Sequence, residues 1–454
     1  MPMGGLTGTK PGVATVPFDM QRNTHHLPGL VLTDHAFQVP LEHGRDGGTR
    51  IELFGREVIS EVNQAHREDL PWVVFLQGGP GFGAPRPMDV SGWIGEAVKD
   101  MRVLLLDERG TGRSHPITAR RISNLGDAEA VAEYLTHFRS DAIVADCEAV
   151  RRELSGDRPW AVLGQSYGGF CSVRYLSAAP EGLSDASIAG GLPSLSAHPD
   201  DIYRRTYKIC RAKNELFYER YPEDEERVRR IVDRLEQGDV RLPSGDPLTP
   251  RRFQMLGLLL GFSDGFELVH YLLEDALLDE SGSVELSARF LKGFESALQH
   301  DTNPIFSVLH EACYTQGFSS RWSAERVRGE YPEFDVRSGE RVLFTGEMIY
   351  PWMFEEISLL EPFAGAAEIL ARKEDWPQLY DPSVLEANRV PAAAAVYTND
   401  MYVEREYSLE TARSIRGLRP WVTDELEHNG LRSDGPRVFG KLRELTAQGL
   451  GSSE

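Results

Sequence analysis

The sequence contains few cysteines and no long hydrophobic run. Only four of its 454 residues are cysteines, and their spacing fits no zinc or redox motif. The longest apolar patch, Met255 to Phe262, is far shorter than the roughly 20 residues that a membrane-spanning helix needs. Residues 1–13 also lack the apolar core of a signal peptide. We therefore expect a soluble, cytoplasmic protein with reduced thiols.

Basic residues are in the minority. The chain has 49 lysines and arginines against 70 aspartates and glutamates, which gives a formal net charge of −21. Phosphate backbones and anionic lipids repel so acidic a protein. We expect neither nucleic acid nor membrane as a partner, whereas small molecules, including cationic ones, remain possible.

Strands and helices alternate at both ends of the chain, with a helix-rich stretch between. The apolar runs at residues 72–76, 102–106 and 160–163 are nearly continuous, which is typical of parallel strands covered on both faces. The pattern predicts an α/β fold with a mostly parallel, doubly wound sheet and a helical insertion. The predicted segments are a poorly ordered lead-in at 1–27, a first core part at 28–193, a helical domain at 194–388 and a second core part at 389–454.

A Gly-x-Ser-x-Gly motif follows one of these strands. It spans Gly164 to Gly168, between the apolar run that ends at Leu163 and a helix-compatible stretch. A strand that turns directly into a helix forces Ser166 into a strained conformation, and the flanking glycines give the helix room. The hydroxyl then projects from the carboxyl edge of the sheet, which predicts that Ser166 is a nucleophile.

A serine nucleophile needs a base, and the base needs an orienting carboxylate. Asp400 follows the strand-like run at 392–397, and His428 follows the last one at 420–423. Alone, Asp400 could cap a turn and His428 could be a surface residue. Together with Ser166 they stand in the order and at the strand ends that a catalytic triad requires.

The glycine-rich loop after the 72–76 strand is a candidate for the oxyanion hole. Residues 77–81 read Gln-Gly-Gly-Pro-Gly, and glycines let backbone N–H groups approach a ligand closely. The amide of Tyr167, next to the nucleophile, is the expected second donor. The loop could also be an ordinary tight turn.

Three motifs resemble those of the proline iminopeptidases, which are α/β-hydrolase-fold serine peptidases that remove an N-terminal proline. They are residues 77–81, the Asp-Glu-Arg-Gly-Thr-Gly-Arg-Ser run at 107–114, and Gly-Gln-Ser-Tyr-Gly-Gly at 164–169. The late aspartate and histidine complete the set, and the length fits larger members. The resemblance implies the α/β-hydrolase fold with a cap domain at 194–388. It implies these roles: Ser166 as nucleophile, His428 as base, Asp400 as orienter, and Gly79 and Tyr167 as oxyanion donors.

The sequence departs from the family pattern at two positions. Gln77 stands where many members have histidine, and Glu108 where many have glutamine. Neither belongs to the triad. For Asp107 and Arg109 a buried, salt-bridged turn is a better interpretation than a catalytic role.

An aminopeptidase should also supply a carboxylate for the free amine of its substrate, and the resemblance places such glutamates in the cap. Glu311 and Glu347 both stand in apolar surroundings, where a carboxylate is costly to bury without a cation. That cation could be the substrate ammonium or an arginine such as Arg321 or Arg341. Nearby aromatic residues could wall a proline pocket or form cap core: Tyr314, Phe318, Tyr350, Trp352 and Phe354.

The predicted activity is the release of N-terminal proline from short peptides through a covalent prolyl-enzyme. No metal or organic cofactor is implied, because the nucleophile, base and oxyanion donors are all protein groups. The alternative is a carboxylesterase, amidase or lactonase with the same triad and a different cap pocket. A non-catalytic binding protein of this fold would need a broken triad, and the sequence shows none.

Overall fold

The computed structural model describes residues 23–280, 283–338 and 341–449. Within these ranges the chain forms a nine-stranded sheet and a separate two-stranded one. The strands are β1 (Thr24–Leu27), β2 (Leu30–Pro40), β3 (Arg50–Ser60), β4 (Trp72–Leu76), β5 (Arg102–Leu106), β6 (Trp160–Gln165), β7 (Leu183–Ala189), β8 (Leu277–Glu280), β9 (Ser283–Leu286), β10 (Ala392–Tyr397) and β11 (Leu418–Thr423).

Helices fill most of the remaining chain. They are α1 (Gly92–Ala97), α2 (Ala119–Ile122), α3 (Ala128–Leu135), α4 (Ser140–Ser155), α5 (Tyr167–Ala178), α6 (Pro199–Arg220), α7 (Glu223–Glu236), α8 (Pro250–Gln254), α9 (Gly265–Glu274), α10 (Ala288–Ala297), α11 (Pro304–Leu309), α12 (Ser323–Arg328), α13 (Met353–Glu356), α14 (Ala364–Arg372), α15 (Pro382–Glu386), α16 (Arg405–Ser414), α17 (Gly430–Ser433) and α18 (Gly435–Ala447). In the described ranges, none of them combines the length and the apolar character that crossing a membrane requires.

The large sheet has the strand order β1-β2-β3-β5-β4-β6-β7-β10-β11. The first three strands pair antiparallel, and all pairs from β5 to β11 are parallel. The mostly parallel sheet is therefore confirmed. The predicted lead-in falls largely on residues 1–22, which lie outside the described residues. At residues 24–27 the prediction of poor order is wrong, because these residues form an edge strand that pairs with β2.

Both faces of the central strands β4, β5 and β10 are buried, as the continuous apolar runs predict. On β4, Trp72, Val74 and Leu76 belong to one apolar cluster, while Val73 and Phe75 belong to another. This alternation follows from the two-residue period of a strand. The first cluster includes side chains of α3, α4 and α5, and the second includes side chains of α1 and α18. The sheet is therefore a central layer between two layers of helices.

The chain leaves the sheet after β7 and returns to it with β10, which pairs beside β7. Helices α6 to α15 and the β8–β9 hairpin lie between these two strands in sequence. We propose that residues 194–388 form a cap domain, and that residues 28–193 and 389–454 form the two parts of the core. The uninterrupted pairing of β7 with β10 supports this division, because the core sheet is complete without the insertion.

The four cysteines are buried and free, as the prediction of reduced thiols requires. Burial raises the pKa of all four thiols. They therefore remain protonated and act as small apolar side chains in the core.

Candidate active site

The predicted triad residues all stand at the carboxyl ends of parallel strands. Ser166 follows β6, Asp400 lies three residues beyond β10, and His428 lies in the loop after β11. Parallel strands present their carboxyl ends along one edge of the sheet. The topology therefore brings together residues that are 262 positions apart in sequence.

Ser166 occupies the sharp turn between β6 and α5. Its φ of 55° and ψ of −123° lie in a region that side-chain-bearing residues rarely adopt. The turn depends on close backbone contacts at two glycines. A Cβ on Gly164 would lie 2.2 Å from the carbonyl oxygen of Gly168, and a Cβ on Gly168 would lie 2.0 Å from that of Leu76. The two motif glycines are therefore required by packing, because a side chain at either position would clash with the neighbouring backbone.

The three side chains form one hydrogen-bonded chain. Ser166 Oγ lies 2.9 Å from His428 Nε2, and His428 Nδ1 lies 2.7 Å from Asp400 Oδ2. Because an ionised carboxylate only accepts, Nδ1 carries the proton and Nε2 accepts from the serine hydroxyl. The other Asp400 oxygen accepts the backbone N–H groups of Tyr402 and Val403, each at 2.9 Å. The carboxylate is thus fixed on both sides.

Opposing effects act on the protonation of His428. Burial of the ring disfavours the imidazolium form, but the Asp400 carboxylate outweighs it, with help from Glu347 and Glu427, and raises the pKa of His428. The neighbouring carboxylates therefore stabilise a positive charge on the ring. A base that must take up a proton from serine benefits from such surroundings.

Of the predicted oxyanion donors, Tyr167 follows Ser166 directly in the chain and Gly79 belongs to the loop after β4. Gly78 and Gly79 line the same cavity as Ser166, and Gly79 has a φ of 134° that favours glycine. Tyr167 is the first residue of α5, so its N–H has no acceptor within the helix. The positive end of the helix dipole points to the same place.

The 107–114 turn follows β5 directly. Asp107 is buried and accepts from the guanidinium of Arg86 at 2.5 Å. Arg109 is also buried and pairs with Asp146 at 2.6 Å. The predicted buried, salt-bridged turn is therefore confirmed, and each charge has its own partner.

The two positions that depart from the family pattern contact each other. Burial raises the pKa of Glu108 well above its usual range, a hydrogen bond from the backbone N–H of Gln77 partly opposes this shift, and the charge of Asp107 adds to it. Burial therefore favours the neutral form of Glu108, whose carboxyl group contacts the first residue of the 77–81 loop.

A cavity of about 680 Å³ opens above the triad. Ser166, His428 and Glu347 belong to its polar lining, together with Gln77, Asp89, Ser91, Gln165, Gln299, Asn429 and Arg432. Its apolar lining comes from both the core and the helical insertion and includes the aromatic residues Phe75, Phe82, Trp93, Phe262, Phe306 and Tyr402. The cavity thus combines a nucleophile, a base and a carboxylate with a partly apolar enclosure.

Two carboxylates line this cavity: Asp89, which is exposed, and Glu347, whose side chain is 16% exposed. Burial raises the pKa of Glu347 to about 7, the positive charge of His428 opposes the shift, and the charge of Asp400 adds to it. His310 Nε2 lies 3.9 Å away, but burial lowers the pKa of His310 to about 4, so this ring is neutral. In the described part of the chain, no lysine or arginine forms an ion pair with Glu347.

Glu311 differs from Glu347, contrary to the expectation that both bind the substrate amine. Its carboxylate accepts the backbone N–H groups of Ala324 at 2.9 Å and Ser323 at 3.1 Å, at the start of α12. It is not among the residues that line the cavity above the triad. Both oxygens are engaged with this backbone, so Glu311 stabilises the cap instead.

The two arginines suggested as partners of these glutamates, and the aromatic residues suggested as pocket walls, make their contacts elsewhere. Arg321 pairs with Glu374, and Arg341 pairs with Glu225, so neither arginine neutralises the two glutamates. The five aromatic residues suggested as pocket walls do not line the cavity. Four of them pack in the large apolar cluster: Tyr314, Tyr350, Trp352 and Phe354. Phe318 lies against His198 with ring centroids 4.9 Å apart.

The sequence prediction missed most of the cavity wall. Tyr402 lies with its ring centroid 4.5 Å from that of His428, and its position two residues after Asp400 could have indicated this. Phe262 and Phe306 come from distant parts of the helical insertion and carry no local signal. Only tertiary packing places them in the same cavity as Ser166.

This sheet, with its strained serine turn and hydrogen-bonded Ser-His-Asp chain, defines a serine hydrolase of the α/β-hydrolase fold. A family model described as the alpha/beta hydrolase fold matches residues 71–234. The chain is 46% identical over 420 residues to a proline iminopeptidase of Aeromonas sobria, across 92% of this chain and 97% of that protein. It belongs to the proline iminopeptidase family, which confirms the predicted resemblance.

More distant relatives are similar over comparable lengths. A proline iminopeptidase of Aspergillus aculeatus is 37% identical over 435 residues, which cover 94% of this chain and 96% of that protein. Among solved structures, the proline iminopeptidase of Mycobacterium smegmatis has a TM-score of 0.43 and 13% identity, over 91% of this chain and 98% of that one.

Proposed function

We propose that this protein is a serine aminopeptidase that releases proline from the N-terminus of short peptides. The observation that carries the proposal is one cavity shared by Ser166, His428 and Glu347. It offers acyl-transfer groups together with a carboxylate suited to a free amine. Membership in the proline iminopeptidase family supports the same substrate class.

In the acylation half-reaction, Ser166 Oγ attacks the carbonyl carbon of the N-terminal prolyl residue. His428 Nε2, 2.9 Å from that oxygen, takes up the hydroxyl proton, and Asp400 stabilises the resulting imidazolium. The backbone N–H groups of Gly79 and Tyr167 stabilise the oxyanion. The tetrahedral intermediate then collapses, and His428 gives its proton to the leaving amine of the shortened peptide.

In the deacylation half-reaction, water attacks the prolyl ester on Ser166. His428 removes a proton from this water and returns it to Ser166 Oγ as the ester bond breaks. Free proline leaves, and the triad is restored. All proton transfers pass through His428, so no other base is needed.

Glu347 selects the substrate amine. Without substrate, its pKa of about 7 shows how unfavourable a carboxylate is in this apolar cavity. A bound prolyl ammonium supplies the missing cation, stabilises the ionised form and forms a charge-assisted hydrogen bond. An acetylated N-terminus can offer neither, so the site discriminates against blocked peptides.

Three chromogenic substrates test this proposal: proline p-nitroanilide, its N-acetyl form and a neutral p-nitrophenyl ester. Cleavage of the free-amine proline substrate, with no cleavage of the acetylated one, is the expected result. Cleavage of the neutral ester without cleavage of proline p-nitroanilide would instead support the carboxylesterase alternative. If none of the three is cleaved, a non-catalytic binding protein becomes the better explanation.

We also propose a cytoplasmic location. The four free, buried cysteines support it, because reduced thiols are the rule in that compartment. Immunofluorescence of the full-length chain would test it.

A further inference from the structure

Cap residues hold the immediate neighbours of His428 on both sides. Before it, Glu427 Oε1 pairs with Lys213 Nζ of α6 at 2.5 Å. After it, Asn429 Oδ1 accepts the backbone N–H and the hydroxyl of Ser263, each at 2.9 Å. Lys213 and Ser263 both belong to the proposed cap. The loop that carries the base is therefore attached to the insertion as well as to the core.

The Lys213–Glu427 pair is largely shielded from water. The side chain of Lys213 is 5% exposed and that of Glu427 is 24% exposed. Burial raises the pKa of Glu427, and the ammonium of Lys213 opposes that shift. A shielded pair of opposite charges holds its geometry, because separating the partners would leave each charge poorly solvated.

The core also contacts this loop. Asp400 and Ser166 hydrogen-bond to the ring of His428, Tyr402 packs against it, and Arg437 pairs with Glu425. These core contacts reach the ring itself or the start of the loop. The two cap anchors on Glu427 and Asn429 hold the residues directly before and after His428, so they add a constraint on the backbone that carries the ring.

We propose that the cap positions the catalytic base, and that Lys213 is a positioning residue acting on His428 through Glu427. This inference rests on the proposed function only in taking His428 as the base for Ser166. Lys213 is not among the residues that line the cavity above the triad, so it acts without touching the substrate. The cap then shapes the reactivity of the core as well as enclosing the substrate.

A serine-directed fluorophosphonate tests this role without any recognition of proline. Ser166 Oγ bonds to phosphorus, fluoride leaves, and the hydroxyl proton passes to His428. We expect Lys213→Met to lower the second-order rate of inactivation about 10- to 100-fold, since small misplacements of a catalytic group have effects of this size. Lys213→Arg, which keeps the cation, should restore most of the rate.

A matched control lies on the same helix. Arg205 of α6 pairs with the core residue Glu404 at 3.2 Å, so Arg205→Met removes a cap–core ion pair away from His428. This control should react like the wild type. Lys213→Met leaves the carboxylate of Glu427 without its cation, and the double variant Lys213→Met/Glu427→Gln removes that unpaired charge. The double variant should recover the melting temperature without recovering the inactivation rate.

The possible outcomes distinguish a failure of the proposed triad from a failure of the proposed positioning role of Lys213. If the wild type does not react with the fluorophosphonate, the proposed triad is wrong. If the wild type reacts and Lys213→Met reacts equally fast, the positioning role is wrong. A rate that returns together with the melting temperature in the double variant would also overturn it, because stability alone would then explain the loss.

Discussion

Replacing Glu347 with glutamine should weaken recognition of the substrate amine and leave the acyl-transfer machinery intact. The substitution keeps the shape of the side chain but removes its charge. A hydrogen bond to a charged group contributes about 1.5–3 kcal/mol. At about 1.4 kcal/mol per tenfold change in rate, kcat/KM for proline p-nitroanilide should fall about 10- to 150-fold. The neutral p-nitrophenyl ester should be hydrolysed at nearly the wild-type rate.

The pH dependence of substrate selectivity gives a sharper test of the role of Glu347. Because the pKa of Glu347 is raised to about 7, the carboxylate is neutral below that pH and charged above it. Between pH 6 and 7 its ionised fraction rises from about one tenth to about one half, while α-amino groups, which titrate near pH 8, stay largely protonated. In the wild type, the ratio of kcat/KM for the anilide to that for the ester should therefore rise about fivefold. In Glu347→Gln the ratio should be flat.

Glu311→Gln is the matched control for this experiment. Its carboxylate engages the backbone at the start of α12, so the change should lower the melting temperature and leave the substrate ratio as in the wild type. Our assignment of Glu347 is refuted if its variant keeps both the selectivity for the free amine and the pH-dependent ratio. A loss of selectivity in Glu311→Gln alone would give the amine-binding role to Glu311 instead.

Three further predictions concern the serine turn and the triad. Ser166→Ala should abolish turnover of every substrate while the melting temperature is retained; residual peptidase activity would contradict the nucleophile. Asp400→Asn should lower kcat roughly 10⁴-fold, because an amide favours the wrong histidine tautomer, and a loss under tenfold would argue against the orienting role. Gly168→Ala should lower the free energy of unfolding by about 3 kcal/mol, since its Cβ would meet the Leu76 carbonyl at 2.0 Å. In urea titrations, Gly440→Ala, whose Cβ meets nothing within 4 Å, should be neutral or stabilising, and equal losses in both variants would contradict the packing argument.

Sequence patterns could predict the core because its signals are local. A continuous apolar run, a turn and a helix lie next to each other around Ser166, so the strand, the elbow and the nucleophile can be predicted together. Asp400 and His428 could be predicted because strand ends in a parallel sheet share one edge. The structure brings all three together, while their catalytic roles stay predictions.

The cap could not be predicted to the same depth. Glu311 and Glu347 have similarly apolar neighbours in sequence, yet one engages the start of a helix and the other faces the cavity. The difference comes from how distant helices pack, which no local pattern encodes. The same holds for Phe306, which lines the cavity, and for Tyr350, which packs inside the cap.

The return of the chain to the sheet at β10 has a consequence for synthesis of the protein. Ser166 is made early, but its base and orienting acid follow only after the proposed cap, at residues 400 and 428. A growing chain that folds from its N-terminus therefore carries the proposed nucleophile without its base until residue 428 has been translated. Peptide hydrolysis can begin only when β10 and β11 join the sheet edge, so the order of residues along the chain delays activity until the proposed cap has been made.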